Sequence, residues 1–175
     1  QEPTSLAVVS LNDRQPSYQF YRADTAERKI TSQMLNEITP ASIKIFHVGS
    51  VALIDGQDAD LWEQKFCELG EQGVITSLDP NIRELLVKNK QQYLDRLKRM
   101  SKYANILKLS DEDFNYMVPE VSLDDAFDEI CKTTEADIIV LTMGEKGARV
   151  KTGEFSFEVS AAVCDPLIDT VGAGD

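Results

Sequence analysis

Hydrophobic residues follow two different rhythms along the chain, and the change between them comes near Ser42. Before Ser42, an apolar run over 5–11 and an alternating, aromatic-rich run over 17–22 predict two β-strands. The polar segment 12–16 between them is typical of a turn. We therefore expect a β-hairpin, followed by a helical or irregular stretch over 31–39.

After Ser42, short apolar runs alternate with segments in which apolar residues recur every three or four positions. The short runs predict buried strands, and the recurring segments predict amphipathic helices. The predicted strands span residues 42–51, 74–78, 106–109 and 137–142, followed by a hairpin of 148–151 and 154–159. The predicted helices span residues 58–72, 92–104 and 122–134. This alternation predicts an α/β fold with a mostly parallel sheet flanked by helices.

Ligands bind at the carboxyl ends of the strands in such a sheet, so the residues after each strand carry the candidate chemistry. DPNIR at 79–83 follows one predicted strand, SDED at 110–113 follows the next, and MGEKG at 143–147 follows the third. Polar and glycine-rich groups are thus predicted to gather at one edge of the sheet, as a single site requires.

The segment DTVGAGD at 169–175 carries the most specific chemistry. Its glycines let the backbone turn sharply, so that the N–H groups of Gly172, Ala173 and Gly174 point at one spot. Such a nest binds an anion, most often a phosphate. Asp175 could take a proton from a hydroxyl while the nest holds the developing negative charge. A nest beside a base predicts a phosphoryl-transfer site, and this role is compatible with Asp175 capping a helix.

Composition limits the partners of the chain. Its 175 residues carry 18 basic and 30 acidic side chains, a net charge of −12, which repels nucleic acid and anionic membranes. No apolar stretch approaches the length of a membrane span, and no signal peptide is visible. The three cysteines, Cys67, Cys131 and Cys164, are widely spaced, which favours reduced thiols and a cytoplasmic setting.

Taken together, these segments resemble the PfkB-type (ribokinase-like) carbohydrate kinases. DTVGAGD is the specific element of the resemblance, and the segments at 79–83, 108–113 and 142–147 fall in the family's order. FYRADTAE at 20–27 and FHVGS at 46–50 are most similar to the fructokinase and 2-keto-3-deoxygluconate kinase branches.

The resemblance covers essentially the whole chain and implies a ribokinase-like fold. We expect one kinase domain over residues 1–175, incomplete at both ends, because the chain lacks an initiator Met and stops on the candidate base. Residues 1–30, approximately, would form a small β lid and the strands beside it, and residues 31–175 would form the α/β core. The lid edge could pair with a second subunit, which favours a homodimer.

The resemblance also implies roles in catalysis and nucleotide binding. Asp175 would deprotonate a sugar hydroxymethyl group, while the adjacent nest holds the phosphoryl group transferred from ATP. The nucleotide site would be lined by Thr142, Gly144 and Gly147. Ser110 and Asp113 stand where the family often has Asn and Glu, and they would organise Mg²⁺ through water. A plain helix start with favourable acids stays open for this segment.

Further residues would bind the sugar and a cation. The resemblance places Arg22 on the lid strand, and Asn81 and Arg83 beside the sugar and phosphate. A surface position for Arg22, and a solvated turn for the other two, are the open alternatives. Asp169 and the Val171 carbonyl match a position that binds a monovalent cation, such as K⁺, in some members.

We therefore expect an ATP-dependent sugar kinase similar to fructokinase. A 2-keto-3-deoxygluconate kinase, or another ribokinase-type sugar or nucleoside kinase, is the alternative within the enzyme class. A regulatory module that binds sugar and nucleotide without turnover is the alternative outside it.

His47, the only histidine, lies in an apolar strand and is expected in the core.

Overall fold

The computed structural model describes residues 2–12, 15–163 and 165 of the chain. Two predicted sites lie outside the described residues and stay predictions. They are the glycine nest with its base (Gly172, Ala173, Gly174 and Asp175) and the monovalent cation position (Asp169 and Val171).

The predicted N-terminal hairpin is confirmed. Strands β1 (Leu6–Asn12) and β2 (Gln15–Tyr21) pair antiparallel and form a two-stranded sheet of their own. Side chains alternate along β2, so Tyr18 and Phe20 share one half-buried face while Tyr21 lies exposed on the other. A 3₁₀ turn and the short helix α1 (Ser32–Asn36) follow, and Thr31 caps α1 by accepting the Met34 N–H.

A six-stranded sheet forms the body of the structure. Its strands lie side by side in chain order from β3 to β8. The bounds are β3 (Ile45–Gly49), β4 (Ile75–Asp79), β5 (Ile106–Ser110), β6 (Ile138–Thr142), β7 (Ala148–Thr152) and β8 (Ser156–Val159). The first four strands run parallel, and β7 and β8 continue the sheet antiparallel. The predicted mostly parallel sheet and its terminal hairpin are confirmed.

Four further helices connect or follow the parallel strands. They are α2 (Gly56–Glu71), α3 (Lys90–Ser101), α4 (Asp111–Met117) and α5 (Leu123–Thr133). Side-chain caps start two of the predicted helices, since Asn89 accepts the Gln92 N–H and Ser122 accepts the Asp125 N–H. Among the described residues, no helix combines the length and the apolarity needed to cross a membrane.

The core lies on one face of the sheet. Strands β3 to β6 lie side by side in chain order, and each crossover between them is expected to be right-handed. The connecting helices therefore all lie on the same face of the sheet. The buried strand residues alternate accordingly: Phe46, Val48, Thr76, Leu78, Leu107, Leu109, Ile139 and Leu141. Side chains from α2, α3, α4 and α5 join the same hydrophobic cluster.

His47 lies on the opposite face of the sheet, so its expected core position is wrong. Phe46 and Val48 point into the helix-covered face, which turns His47 outward, where its Nδ1 lies 3.0 Å from Ser77 Oγ. Ile45 and Ile75 are exposed on this face as well. The apolar run correctly predicted a strand in the sheet. It did not show which of the strand's side chains face the helices and which face away from them.

Candidate functional site

The register of the parallel strands brings their carboxyl ends to one edge of the sheet. Gly49 at the end of β3 lies beside Asp79 at the end of β4, and Ser110 lies beside Thr142 in the β5–β6 pair. The three polar segments singled out in the sequence follow β4, β5 and β6. Their convergence on a single edge agrees with the sequence expectation.

The turn after β4 is held against the end of β3. Ser50 donates its backbone N–H to the Pro80 carbonyl at 3.0 Å. Gly49 approaches so closely that a Cβ there would lie 1.9 Å from the Asp79 carbonyl oxygen. Asn81 adopts a left-handed backbone with φ of 40°, a conformation that Asn tolerates better than most residues. This geometry fixes the direction in which Asn81 and Arg83 leave the strand.

An ion pair joins β4 and β5 on the face that the helices do not cover. Lys108 Nζ lies 2.6 Å from Asp79 Oδ2, and both side chains are largely buried. The other oxygen of Asp79, Oδ1, is buried and has no hydrogen-bond partner among the described residues. Sequence reasoning gave Lys108 no role. Its place between Leu107 and Leu109, both buried, was the signal that it faces away from the core.

Asp113 ties two of the strand-end segments together. Its Oδ2 accepts the Ser110 N–H at 2.8 Å, and the Ser110 hydroxyl accepts the Asp113 N–H at 3.0 Å, which makes a capping box at the start of α4. Its Oδ1 accepts the Ile82 N–H at 2.7 Å. The side chain is only 3% exposed. The helix-start alternative describes these contacts, and a role in organising Mg²⁺ stays a prediction.

Arg83 extends from the turn after β4 to the N-terminal hairpin, the predicted lid. Its guanidinium carbon lies 5.4 Å from the centroid of the Tyr18 ring, within the range of a cation–π contact. Within the described part of the chain, Arg83 forms no ion pair and no side-chain hydrogen bond. Strand β2 and the predicted substrate turn thus meet at this pair. Tyr18 was not identified from the sequence, although it shares the half-buried face of β2 with Phe20.

Arg22 follows β2 and lies in a different environment from Arg83. Its Nε is 2.6 Å from Glu27 Oε1, and only 10% of its side chain is exposed. It lines a cavity of about 230 Å³ together with Trp62, Asp58 and apolar side chains. Glu27 therefore already compensates the positive charge of Arg22.

The segment after β6 is a tight turn into β7. Met143 donates its N–H to the Gly147 carbonyl at 2.8 Å, and Gly147 donates to the Gly144 carbonyl at 3.0 Å. Gly144 has φ of 55°, and nothing lies within 4 Å of the place where a Cβ would stand. An open backbone of this kind suits the predicted approach of a nucleotide. Thr142 lies at the base of the turn, paired with Ala148.

The backbone at position 147 requires a glycine for structural reasons alone. Its φ is 92°, and a Cβ there would lie 2.0 Å from the Val159 carbonyl oxygen.

Among the described residues, no group of three or more His, Cys, Asp or Glu side chains is placed to hold a metal ion.

Comparison with known families and curated proteins gives one consistent result. The model of the pfkB family of carbohydrate kinases matches residues 1–175. A fructokinase of Rhizobium leguminosarum bv. trifolii is 33% identical over 173 residues, which cover 99% of this chain and 52% of that protein. The probable fructokinase-2 of Arabidopsis thaliana is 30% identical over 173 residues, with 98% and 52% covered. The chain thus spans about half the length of the curated relatives it matches.

Solved structures confirm the fold. A fructokinase from Vibrio cholerae O395, crystallised with fructose, ADP and calcium ion, superposes with a TM-score of 0.80 at 27% identity. The match covers 99% of this chain and 56% of that one. A double mutant of that fructokinase, bound to fructose, ADP and potassium ion, also gives a TM-score of 0.80, with 55% of its chain covered. The predicted ribokinase-like α/β fold is confirmed.

Proposed function

This chain belongs to the pfkB family of carbohydrate kinases, and on that premise we propose that the full-length protein is a fructokinase-like sugar kinase. It would transfer the γ-phosphoryl group of ATP to a sugar hydroxymethyl group. The observation that carries this proposal is the convergence of the segments after β4, β5 and β6 on one edge of the sheet, in a chain whose whole length matches the family.

The chain's own residues would contribute positioning and electrostatics, which dominate phosphoryl transfer. Asp175 would remove the proton of the attacking hydroxyl. The N–H groups of Gly172, Ala173 and Gly174 would hold the charge that develops on the transferred group. Thr142, Gly144 and Gly147 would line the nucleotide, where the open backbone at Gly144 lets it approach.

Two cations would accompany the reaction. Mg²⁺ would enter as the complex with ATP. Asp113 would organise it through water, and each of its carboxylate oxygens also accepts a backbone N–H. K⁺ would bind at Asp169 and the Val171 carbonyl, and the potassium ion in the Vibrio cholerae fructokinase supports this assignment.

The charges beside the acceptor favour a neutral sugar over a sugar acid. Glu27 compensates Arg22, whereas Arg83 has no carboxylate partner among the described residues and lies in the same turn as Asn81. A single free cation suits the phosphoryl group itself, whereas a keto-acid substrate would require a second one for its carboxylate. The fructose bound to the Vibrio cholerae enzyme agrees with this choice.

The proposal extends to the N-terminal hairpin, the oligomeric state and the location of the protein. Residues 1–30 would act as a lid over the α/β core, and the exposed Leu6 and Val8 of β1 would contribute to a homodimer. The free thiols of Cys67 and Cys131 suit a cytoplasmic protein.

The experiment measures ADP release by the full-length protein with a panel of sugars that includes fructose and 2-keto-3-deoxygluconate. We expect turnover with a neutral sugar, and nucleotide binding without turnover would instead support a regulatory module. In the active protein, Asp175→Asn should lower kcat by about two to four orders of magnitude while sugar binding persists. Asp128→Asn, on the exposed side of α5, is the matched control. Wild-type turnover in Asp175→Asn would remove Asp175 from the mechanism.

A further inference from the structure

The contact between Tyr18 and Arg83 joins two parts of the fold that are distant in sequence. Tyr18 belongs to the lid strand β2, and Arg83 follows the parallel strand β4. The 5.4 Å separation between the guanidinium carbon and the ring centroid is short enough for attraction between the cation and the ring face. No ion pair or side-chain hydrogen bond competes for this guanidinium within the described residues.

A free arginine side chain carries about 2 kcal/mol of rotamer entropy, so an unpaired guanidinium would sample many positions. The ring of Tyr18 restricts that freedom without neutralising the charge. A carboxylate partner would restrict the guanidinium and also compensate its charge, as Glu27 does for Arg22. Arg83 is thus held in place, and no carboxylate in the described part of the chain takes up its charge.

Tyr18 is itself held in place. Its ring stacks on Phe20 with the centroids 6.0 Å apart and the planes 16° from parallel. Both rings lie on the half-buried face of β2, whereas Tyr21 lies on the opposite face and is 52% exposed. Because Phe20 holds the Tyr18 ring, the Arg83 guanidinium packs against a fixed aromatic face.

We infer that Tyr18 is a positioning residue, whose ring holds the Arg83 guanidinium at the sheet edge and thereby couples the lid to the substrate turn. The inference rests on the proposed kinase function and adds to it. The lid influences the reaction through Arg83 as well as by covering the site. Tyr18 needs only its aromatic face for this role, so the hydroxyl group is dispensable.

The experiment compares Tyr18→Leu, Tyr18→Phe and Tyr21→Leu in the full-length protein. Tyr18→Leu should lower kcat/KM about 2- to 30-fold, the range that corresponds to a cation–π contact. Tyr18→Phe and Tyr21→Leu should keep the wild-type value. In an Arg83→Gln background, Tyr18→Leu should cause no further loss, because the ring acts through that guanidinium. An equal loss in both backgrounds, or a Tyr18→Leu enzyme as active as Tyr21→Leu, would overturn the inference.

Hydrogen exchange tests the same contact without any assay of activity. Tyr18→Leu should speed amide exchange in the turn at 79–86, and Arg83→Gln should speed it in the lid at 17–22. Unchanged exchange in both segments would also overturn the inference. A wild-type protein that phosphorylates no sugar would refute the kinase function instead, and the exchange data would still decide whether the contact exists.

Discussion

Lys108 Nζ lies 2.6 Å from Asp79 Oδ2, and this ion pair joins β4 to β5 at the edge where the candidate site is built. Asp79 is the last residue of β4 and the first of the segment that presents Asn81 and Arg83. Because Oδ1 of Asp79 has no partner among the described residues, Lys108 supplies the only compensation that the structure records for this carboxylate. The ion pair therefore stabilises the strand end from which the predicted substrate turn begins.

Replacing Lys108 should leave this carboxylate without its partner. Lys108→Met is expected to lower the free energy of unfolding by about 1.5 kcal/mol, the usual contribution of a hydrogen bond to a charged group. Urea denaturation of the full-length protein measures the change. Lys102→Met, which removes an exposed lysine after α3, is the matched control. Equal stability of the two variants would contradict the assignment.

Glu63 should make stability depend on pH. Burial alone would raise its pKa, but hydrogen bonds from Arg99 and Arg96 outweigh that effect and hold the pKa below its ordinary value of 4.5. A carboxyl with a lowered folded-state pKa stabilises the fold above its unfolded pKa and loses that contribution as the pH falls through the folded one. Glu63→Gln should therefore destabilise the protein at pH 7 by about 1–2 kcal/mol.

The difference between wild type and Glu63→Gln should shrink as the pH falls below 4.5. Urea midpoints measured between neutral and strongly acidic pH follow this change. Glu129→Gln, on the exposed face of α5, should show no such trend. A stability difference that stays constant across the whole pH range would show that the charge of Glu63 is not what stabilises the fold.

Gly147 and Gly153 should respond differently to the same substitution. Gly147→Ala would strain a backbone with φ of 92° and place a methyl group 2.0 Å from the Val159 carbonyl oxygen. We expect a loss of about 3 kcal/mol from the two effects together. Gly153 has nothing within 4 Å of the same position, so Gly153→Ala should change stability by less than about 0.5 kcal/mol. Thermal unfolding of both variants checks the contrast.

The Cys67 thiol should react slowly. Burial, reinforced by the negative charges of Glu63 and Glu71, raises its pKa to about 11. Only about 0.1% of such a thiol is ionised at pH 8, and the thiolate is the nucleophile. Alkylation by iodoacetamide, followed at the Cys67 peptide by mass spectrometry, should be about 100-fold slower than that of a thiol with the ordinary pKa of 9.0. Unfolding in urea should restore the ordinary rate, and fast alkylation of the native protein would refute the prediction.

Local sequence patterns were sufficient to predict most of the elements. The helical periodicity of 58–72, 92–104 and 122–134 matched α2, α3 and α5, because an amphipathic face is written into consecutive residues. The predicted strand 42–51 was too long. Ser50, with φ of 50°, leaves the extended conformation and begins a 3₁₀ turn. Helix α4 spans only seven residues and is too short to show a period.

Contacts between distant segments were the part of the site that the sequence did not reveal. It placed Asp113 three residues after Ser110, which is enough to predict a helix start. The bond from the Ile82 N–H to Asp113 depends on how β4 and β5 lie against each other. The Tyr18–Arg83 pair likewise depends on how the N-terminal hairpin lies against the core. The spacing of residues along the sequence predicts neither the Ile82–Asp113 bond nor the Tyr18–Arg83 contact.

The double attachment of Asp113 has a consequence for mutagenesis. Its carboxylate holds both the loop that follows β4 and the first turn of α4, so Asp113→Ala would displace the predicted substrate turn and the start of α4 together. An inactive Asp113→Ala enzyme would therefore be expected even if this residue never approached a metal ion. Titrating Mg²⁺ against activity in Asp113→Asn, which keeps one acceptor oxygen, separates the two roles: a shifted Mg²⁺ requirement is the signature of the ion, and a uniform loss is the signature of a displaced loop.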